Sequence, residues 1–141
     1  MHWEKFSEKD RLCVIKELEE KFNVRLTAIS PYRKYLKDEK NTRYLICGGR
    51  ENWHGFPPEI VVKEENESTG AFLVFASKGI TEIKVFIGPL CPLIRNKERL
   101  KQLSNKQYQF NITFNEKFAQ VIEIRAYYLE LLSEIKSEKQ Y

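Results

Sequence analysis

Gly48-Gly49-Arg50-Glu51-Asn52-Trp53-His54-Gly55, a short segment between two strand-like runs, concentrates the side chains that read base edges. Arg pairs bidentately with guanine, Asn with adenine, and Glu accepts from cytosine, so Arg50, Glu51 and Asn52 cover most of the major-groove code. Glycines on both sides give a loop the freedom to project from its scaffold. The plainer alternative is a Gly-rich hairpin in which Trp53 pins its own loop to the body. His54 has no second histidine nearby and is not read as a metal ligand.

A second arrangement bears on chemistry. Glu82 and Lys84 flank Ile83 on an alternating run, where residues i and i+2 share a face. With Glu59 upstream, that is the residue set of a magnesium-dependent PD-(D/E)xK nuclease, in which the metal activates water. Against it, Glu-x-Lys is common in a chain this rich in both types, and Glu134-Ile135-Lys136 repeats it. A cross-strand charge pair explains the same residues. There is no Gly-rich phosphate loop followed by Lys-Ser/Thr and no Gly-x-Ser-x-Gly elbow. No cofactor is expected, and no small-molecule substrate.

The net charge of +4 is modest, but it is unevenly placed. Arg25, Arg33, Lys34, Lys37, Lys40, Arg43 and Arg50 stand against only Asp38 and Glu39 in one block. Arg95, Lys97, Arg99, Lys101 and Lys106 stand against Glu98 in another. Two basic blocks on a nearly neutral body suggest a polyanion-facing surface, with a solvated lysine-rich face as the alternative.

The elements that must position these residues follow from period and punctuation. Ser7 and Asp10 make a capping box ahead of Leu12, Val14, Ile15, Leu18 and Phe22 at helical spacing, with Asn23 as the stop. Extended runs are expected at Arg43 to Cys47, from Phe56-Pro57-Pro58 into Ile60-Val61-Val62, at Ala71 to Ala76, at Thr81 to Ile87 and at Tyr108 to Phe114. After a polar turn at Glu64 to Gly70 and a second turn at Ser77-Lys78-Gly79, the chain ends in an expected helix after Asn115. Its seam is Val121, Ile124, Tyr128, Leu131 and Ile135, packed on the body or, alternatively, used for dimerisation. Three scattered cysteines, Cys13, Cys47 and Cys91, fit buried reduced thiols and a cytoplasmic protein. No apolar stretch is long enough to span a membrane, so no membrane partner is expected.

Thr69-Gly70-Ala71-Phe72-Leu73-Val74-Phe75-Ala76, followed by Glu82-Ile83-Lys84-Val85-Phe86-Ile87, resembles a strand pair of restriction enzymes. It is similar to the pseudobarrel effector domain of EcoRII-type endonucleases, related to plant B3 DNA-binding domains, over about Arg43 to Ile87. The layout also resembles the N-terminal specificity module of LlaJI-type, McrBC-like restriction systems. The resemblance implies a mainly β, α+β fold: an open B3-like pseudobarrel of short, mostly antiparallel strands with a helix at each end. Residues 1–24 would be the N-terminal helix, 25–115 the barrel, and 116–141 a C-terminal helix and linker toward a motor or nuclease partner. It implies sequence-specific binding of double-stranded DNA by two arms in the major groove, without catalysis by this chain itself. Arg50, Glu51, Asn52, Trp53 and His54 would form one arm with Arg43 at its base. Arg33, Lys34 and Tyr35, beside Tyr32, or else Arg95 and Lys97 would supply the second. A nuclease, or a protein-interaction and regulatory module, are the alternatives.

Overall fold

Ser7 starts the first helix by local hydrogen bonding. The computed structural model describes residues 6–49 and 54–136, and within it helix α1 spans Glu8–Phe22. Ser7 Oγ accepts from the Asp10 amide, and the Asp10 carboxylate accepts from the Ser7 amide at 2.8 Å, so the expected capping box is present. Asn23 ends the helix in the left-handed region at φ 52°. The buried face is Val14 and Leu18, with Ile15 beside them; Leu12 faces water.

Asp10 does a second job. Lys78 Nζ lies 2.8 Å from its carboxylate and ties the start of α1 to a strand end 68 residues away. Burial alone would raise the Asp10 pKa, but the bonds from Lys78 and Ser7 outweigh it and hold the carboxyl below its ordinary value. Asp10 therefore adds stability that is complete above the ordinary carboxyl value of 3.8 and is lost as pH falls through the lowered one. Asp10→Asn is expected to cost about 1 kcal/mol at neutral pH, as for a lost cap. In urea unfolding, the gap from wild type should be the same at pH 7 and pH 5 and shrink below about pH 4. A gap that widens on acidification would contradict the assignment.

The remaining strands in chain order are β1 Thr27–Ala28, β2 Tyr35–Lys37, β3 Arg43–Gly49, β4 His54–Phe56, β5 Ala71–Lys78, β6 Glu82–Pro89, β7 Lys101–Gln102, β8 Tyr108–Phe110, β9 Ile112–Phe114, β10 Phe118–Val121 and β11 Tyr128–Lys136. Helices α2 (Pro58–Glu65) and α3 (Cys91–Arg95) interrupt them. Eight strands form one open sheet in the order β1-β2-β3-β5-β6-β11-β10-β9, and β4-β8-β7 form a small second sheet. Every pairing is antiparallel except β3 with β5, whose crossover runs through β4 and α2. A parallel pair requires such a crossover. The protein is thus mainly β with a helix near its N-terminus, as expected, and its sheet is open.

Both faces of the central strands are covered, which explains why they read as near-continuous apolar runs. Leu45, Cys47, Leu73, Phe75 and Phe86 face a core shared with α2, α3 and the small sheet. Tyr44, Ile46, Val74, Ala76, Ile83 and Val85 face a second core under α1. Gly88 is the one point where β6 must stay bare, because a Cβ there would meet Leu129 Cδ2 at 2.5 Å and the Tyr128 carbonyl at 3.0 Å.

Three element expectations are corrected. The stretch after Asn115 is not a helix: it is β10, a turn, and β11. Its apolar residues alternate into the core as Ala119, Val121, Tyr127 and Leu129, and a register shift between Leu131 and Ser133 moves Ile135 to the other face, beside Leu132. A period-2 pattern with a one-residue slip imitates helical spacing, and pairing with β6 decides for strand. Pro58 to Val62 is helical instead of extended, because a proline at the first helical position suits a helix and the crossover needs one. Tyr108 to Phe114 is two strands in two different sheets. The break is Asn111, whose amide and side chain both donate to Glu123 at 3.0 and 2.6 Å.

Candidate nucleic-acid interface

Of the residues expected to face DNA, Arg50, Glu51, Asn52 and Trp53 lie outside the described residues. The connection that carries them leaves β3 at Gly49 and enters β4 at His54. His54 is buried, its ring 5.3 Å from Phe75 edge-to-face and 5.8 Å from Phe110. The expectation that His54 reaches outward is corrected: it fixes the end of the connection to the core.

Arg43 is also corrected. It is 0% exposed and holds the interior together. Its Nε and Nη2 donate to the two Glu64 oxygens at 2.5 and 3.0 Å, and Nη1 and Nη2 donate to Thr69 Oγ1 and O at 2.8 and 2.6 Å. Tyr35, equally buried, donates its hydroxyl to Glu64. Burial and the Glu64 carboxylate push that hydroxyl far above its ordinary range. Burial opposes the Arg43 charge, but Glu64 outweighs it, so the guanidinium stays charged. Neither Arg43 nor Tyr35 can touch DNA from there. The missed partner had a signal: Glu64 falls four residues after Ile60, on the helix face that α2 buries.

Arg33 and Lys34 behave differently. Both lie on the connection between β1 and β2; Arg33 is exposed, and Lys34 is half-buried. Lys34 Nζ donates to the Gly55 carbonyl in β4, which brings this segment against the base of the β3–β4 connection. Around them is a cleft of about 310 Å³ lined by Arg11, Pro31, Tyr32, Arg33, Lys34, Pro57 and Gln107. Among the described residues, no carboxylate lines it. Burial, with the nearby Arg11 charge adding to it, lowers the Lys34 pKa. Gln107 belongs to the turn between β7 and β8, next to exposed Lys106, so the second basic block reaches this cleft as well.

Arg95 ends α3 and is exposed, while Lys97 Nζ is engaged by Glu65 at 2.6 Å at the far end of α2 from Pro57. The lysine is therefore partly neutralised. Geometry joins Lys34, with Arg33 beside it, to β4 at Gly55, and it does not join Lys97 there.

For the nuclease set, register puts Glu82 opposite Lys136 and Lys84 opposite Glu134, the cross-strand arrangement of unlike charges. Glu59 sits in the first turn of α2 and acts on Tyr32. Among the described residues, no three His, Cys, Asp or Glu side chains are grouped to hold a metal ion. The cysteines are free thiols, but only Cys47 is buried; Cys13 and Cys91 are exposed, against expectation. Burial pushes the Cys47 thiol up to about 12. Among the described residues, no helix is long and apolar enough to cross a membrane. Comparison with family models, curated proteins and solved structures finds no match.

Proposed function

We propose that this chain binds double-stranded DNA through the face built by the β3–β4 connection, the Arg33–Lys34 segment and the β7–β8 turn. One observation carries the reading: Lys34 docks on Gly55, so a segment with cations is joined to the connection whose residues carry base-reading chemistry. Phosphate contacts from Arg and Lys set orientation and salt-dependent affinity, while Arg50, Glu51 and Asn52 supply base discrimination. The resemblance to B3-like specificity domains supports a place in a bacterial restriction system, with cleavage or translocation supplied by another domain or subunit.

Selection from random duplexes, followed by gel shift at fixed salt, tests the reading. Wild type is expected to enrich a defined site. Arg50→Ala with Asn52→Ala should lose about 1–3 kcal/mol of preference per contacted base and keep weak, salt-sensitive binding to any duplex. Absence of salt-sensitive duplex binding overturns DNA binding as the function. Full site preference in the double variant overturns the role of the connection.

A further inference from the structure

We propose that the cleft between α1, the β1–β2 connection, the start of α2 and the β7–β8 turn is a seat for a single phosphate group of the bound DNA strand, held by Arg11, Arg33 and Lys34. The proposal rests on the DNA-binding reading and deepens it, assigning one phosphodiester to one place. Three cations from two distant parts of the sequence line the same concavity. Arg11 comes from the second turn of α1; Arg33 and Lys34 come from the β1–β2 connection.

Their donors are only partly used. Glu8 lies 2.8 Å from Arg11 Nη1 as an ion pair, yet that buried nitrogen makes no hydrogen bond among the described residues, and a guanidinium has five N–H donors. Lys34 gives one of its three protons to Gly55, which aims the ammonium and leaves two. Gln107 adds an amide to the lining, and Pro31, Pro57 and Tyr32 add apolar walls. Among the described residues, the carboxylates nearby are Glu8, engaged with Arg11, and Glu59, which acts on Tyr32; neither lines the cleft.

The electrostatics have a definite sign. Arg11 and Lys34 are near enough for one charge to disfavour the other, in a place where Lys34 is already partly desolvated. Such an arrangement opposes folding when empty of anion, and it becomes favourable when a phosphate sits between the cations. Groupings that break the local rule of charge pairing concentrate at functional sites. An oxyanion with several acceptor oxygens matches the fork of two guanidiniums and an ammonium better than a single carboxylate does.

Two measurements test the seat. In the first, duplex affinity is followed from 50 to 200 mM salt for wild type, Arg11→Ala, Arg33→Ala and the double variant. Neutralising one phosphate contributes about 0.9 to the slope of log affinity against log salt. Each single variant is expected to lose up to that amount and the double variant about one unit in all, an attenuation of roughly fourfold across this salt range, equal for the selected site and a scrambled duplex. An unchanged slope in the double variant, or a loss of about two units, overturns the single seat. Melting temperatures matching wild type exclude loss of fold as the cause.

In the second, inorganic phosphate is titrated into the wild-type protein and amide shifts are recorded by NMR. Saturable shifts at Arg11, Arg33, Lys34 and Gln107, absent in the double variant and with chloride, are expected. No such shifts overturn the seat. Phosphate shifts in a protein that binds no duplex would leave a phosphate site standing and overturn its assignment to DNA, which separates failure of the two readings.

Discussion

Glu64→Ala is expected to destabilise the protein by about 3–5 kcal/mol, because it strands a buried guanidinium. Arg43 has no exposed surface, and among the described residues Glu64 is the only carboxylate that meets it bidentately. Removing Glu64 also leaves the Tyr35 hydroxyl without its acceptor. Glu67 Oε1, 3.7 Å from Nη1, is too distant to take over with full strength. For a chain of this size, each kcal/mol corresponds to about 2–4 °C of melting temperature, so a fall on the order of 10 °C is expected. Arg43→Met alone should cost a similar amount, leaving Glu64 buried and poorly matched.

The informative variant is the triple one. Arg43→Met, Glu64→Leu and Tyr35→Phe together replace the network by apolar groups of similar volume, and should recover most of the loss, because a buried ion pair rarely exceeds the desolvation it requires. Chemical denaturation of the three variants checks this. A triple variant less stable than Glu64→Ala would mean that the network contributes through more than mutual neutralisation.

The same network marks where sequence reasoning stops. Ser7, Asp10 and Asn23 were legible because caps act within four residues, and the chemistry of a cap is local. The strands β5 and β6 were legible because aromatic and β-branched runs admit few other structures, although the turn expected at Ser77-Lys78-Gly79 begins only at Gly79, since Ser77 and Lys78 pair with Lys84 and Ile83. Arg43 was misread because its partner lies 21 residues away, across a crossover that no local pattern announces. An arginine heading a strand looks the same in sequence whether it meets water or Glu64.

The C-terminal strand failed for a related reason. Nothing between Asn115 and Lys136 marks the slip at Leu131/Ser133, and only the pairing with β6 fixes the register. Of the candidate interface, residue types were legible and adjacency was not. Arg11 had no reason, in sequence, to be grouped with Arg33 and Lys34. It reaches them because Arg11 shares the helix face of Val14 and Leu18, and docking that face on the sheet carries its N-terminal end over the cleft. A charge count along the chain divides these cations between separate segments, whereas the fold gathers them.

Phe75→Ala is expected to cost about 3–5 kcal/mol and to weaken site discrimination before the protein unfolds. Phe75 is fully buried in β5 and lies within ring-contact distance of His54, Phe86 and Phe114. The stability loss is the usual one for deleting a buried aromatic ring, a transfer contribution plus the cavity left behind. The effect on discrimination comes from His54. Its ring is set by Phe75 and Phe110, and its backbone is the first of β4 after the connection bearing Arg50 to Trp53. A cavity beside His54 lets β4 shift, and bidentate base contacts depend on placement within about 0.5 Å. Selected and scrambled duplexes, compared well below the melting temperature, give the readout. Scrambled-duplex affinity should stay near wild type, since the phosphate contacts proposed for Arg33 and Lys34 do not pass through Phe75, while preference for the selected site should fall roughly 10-fold. Phe75→Leu, which refills most of the space, should restore much of both. Undiminished preference in a folded Phe75→Ala protein would mean that the connection is held by Gly55 and Lys34 rather than by the ring stack beneath His54.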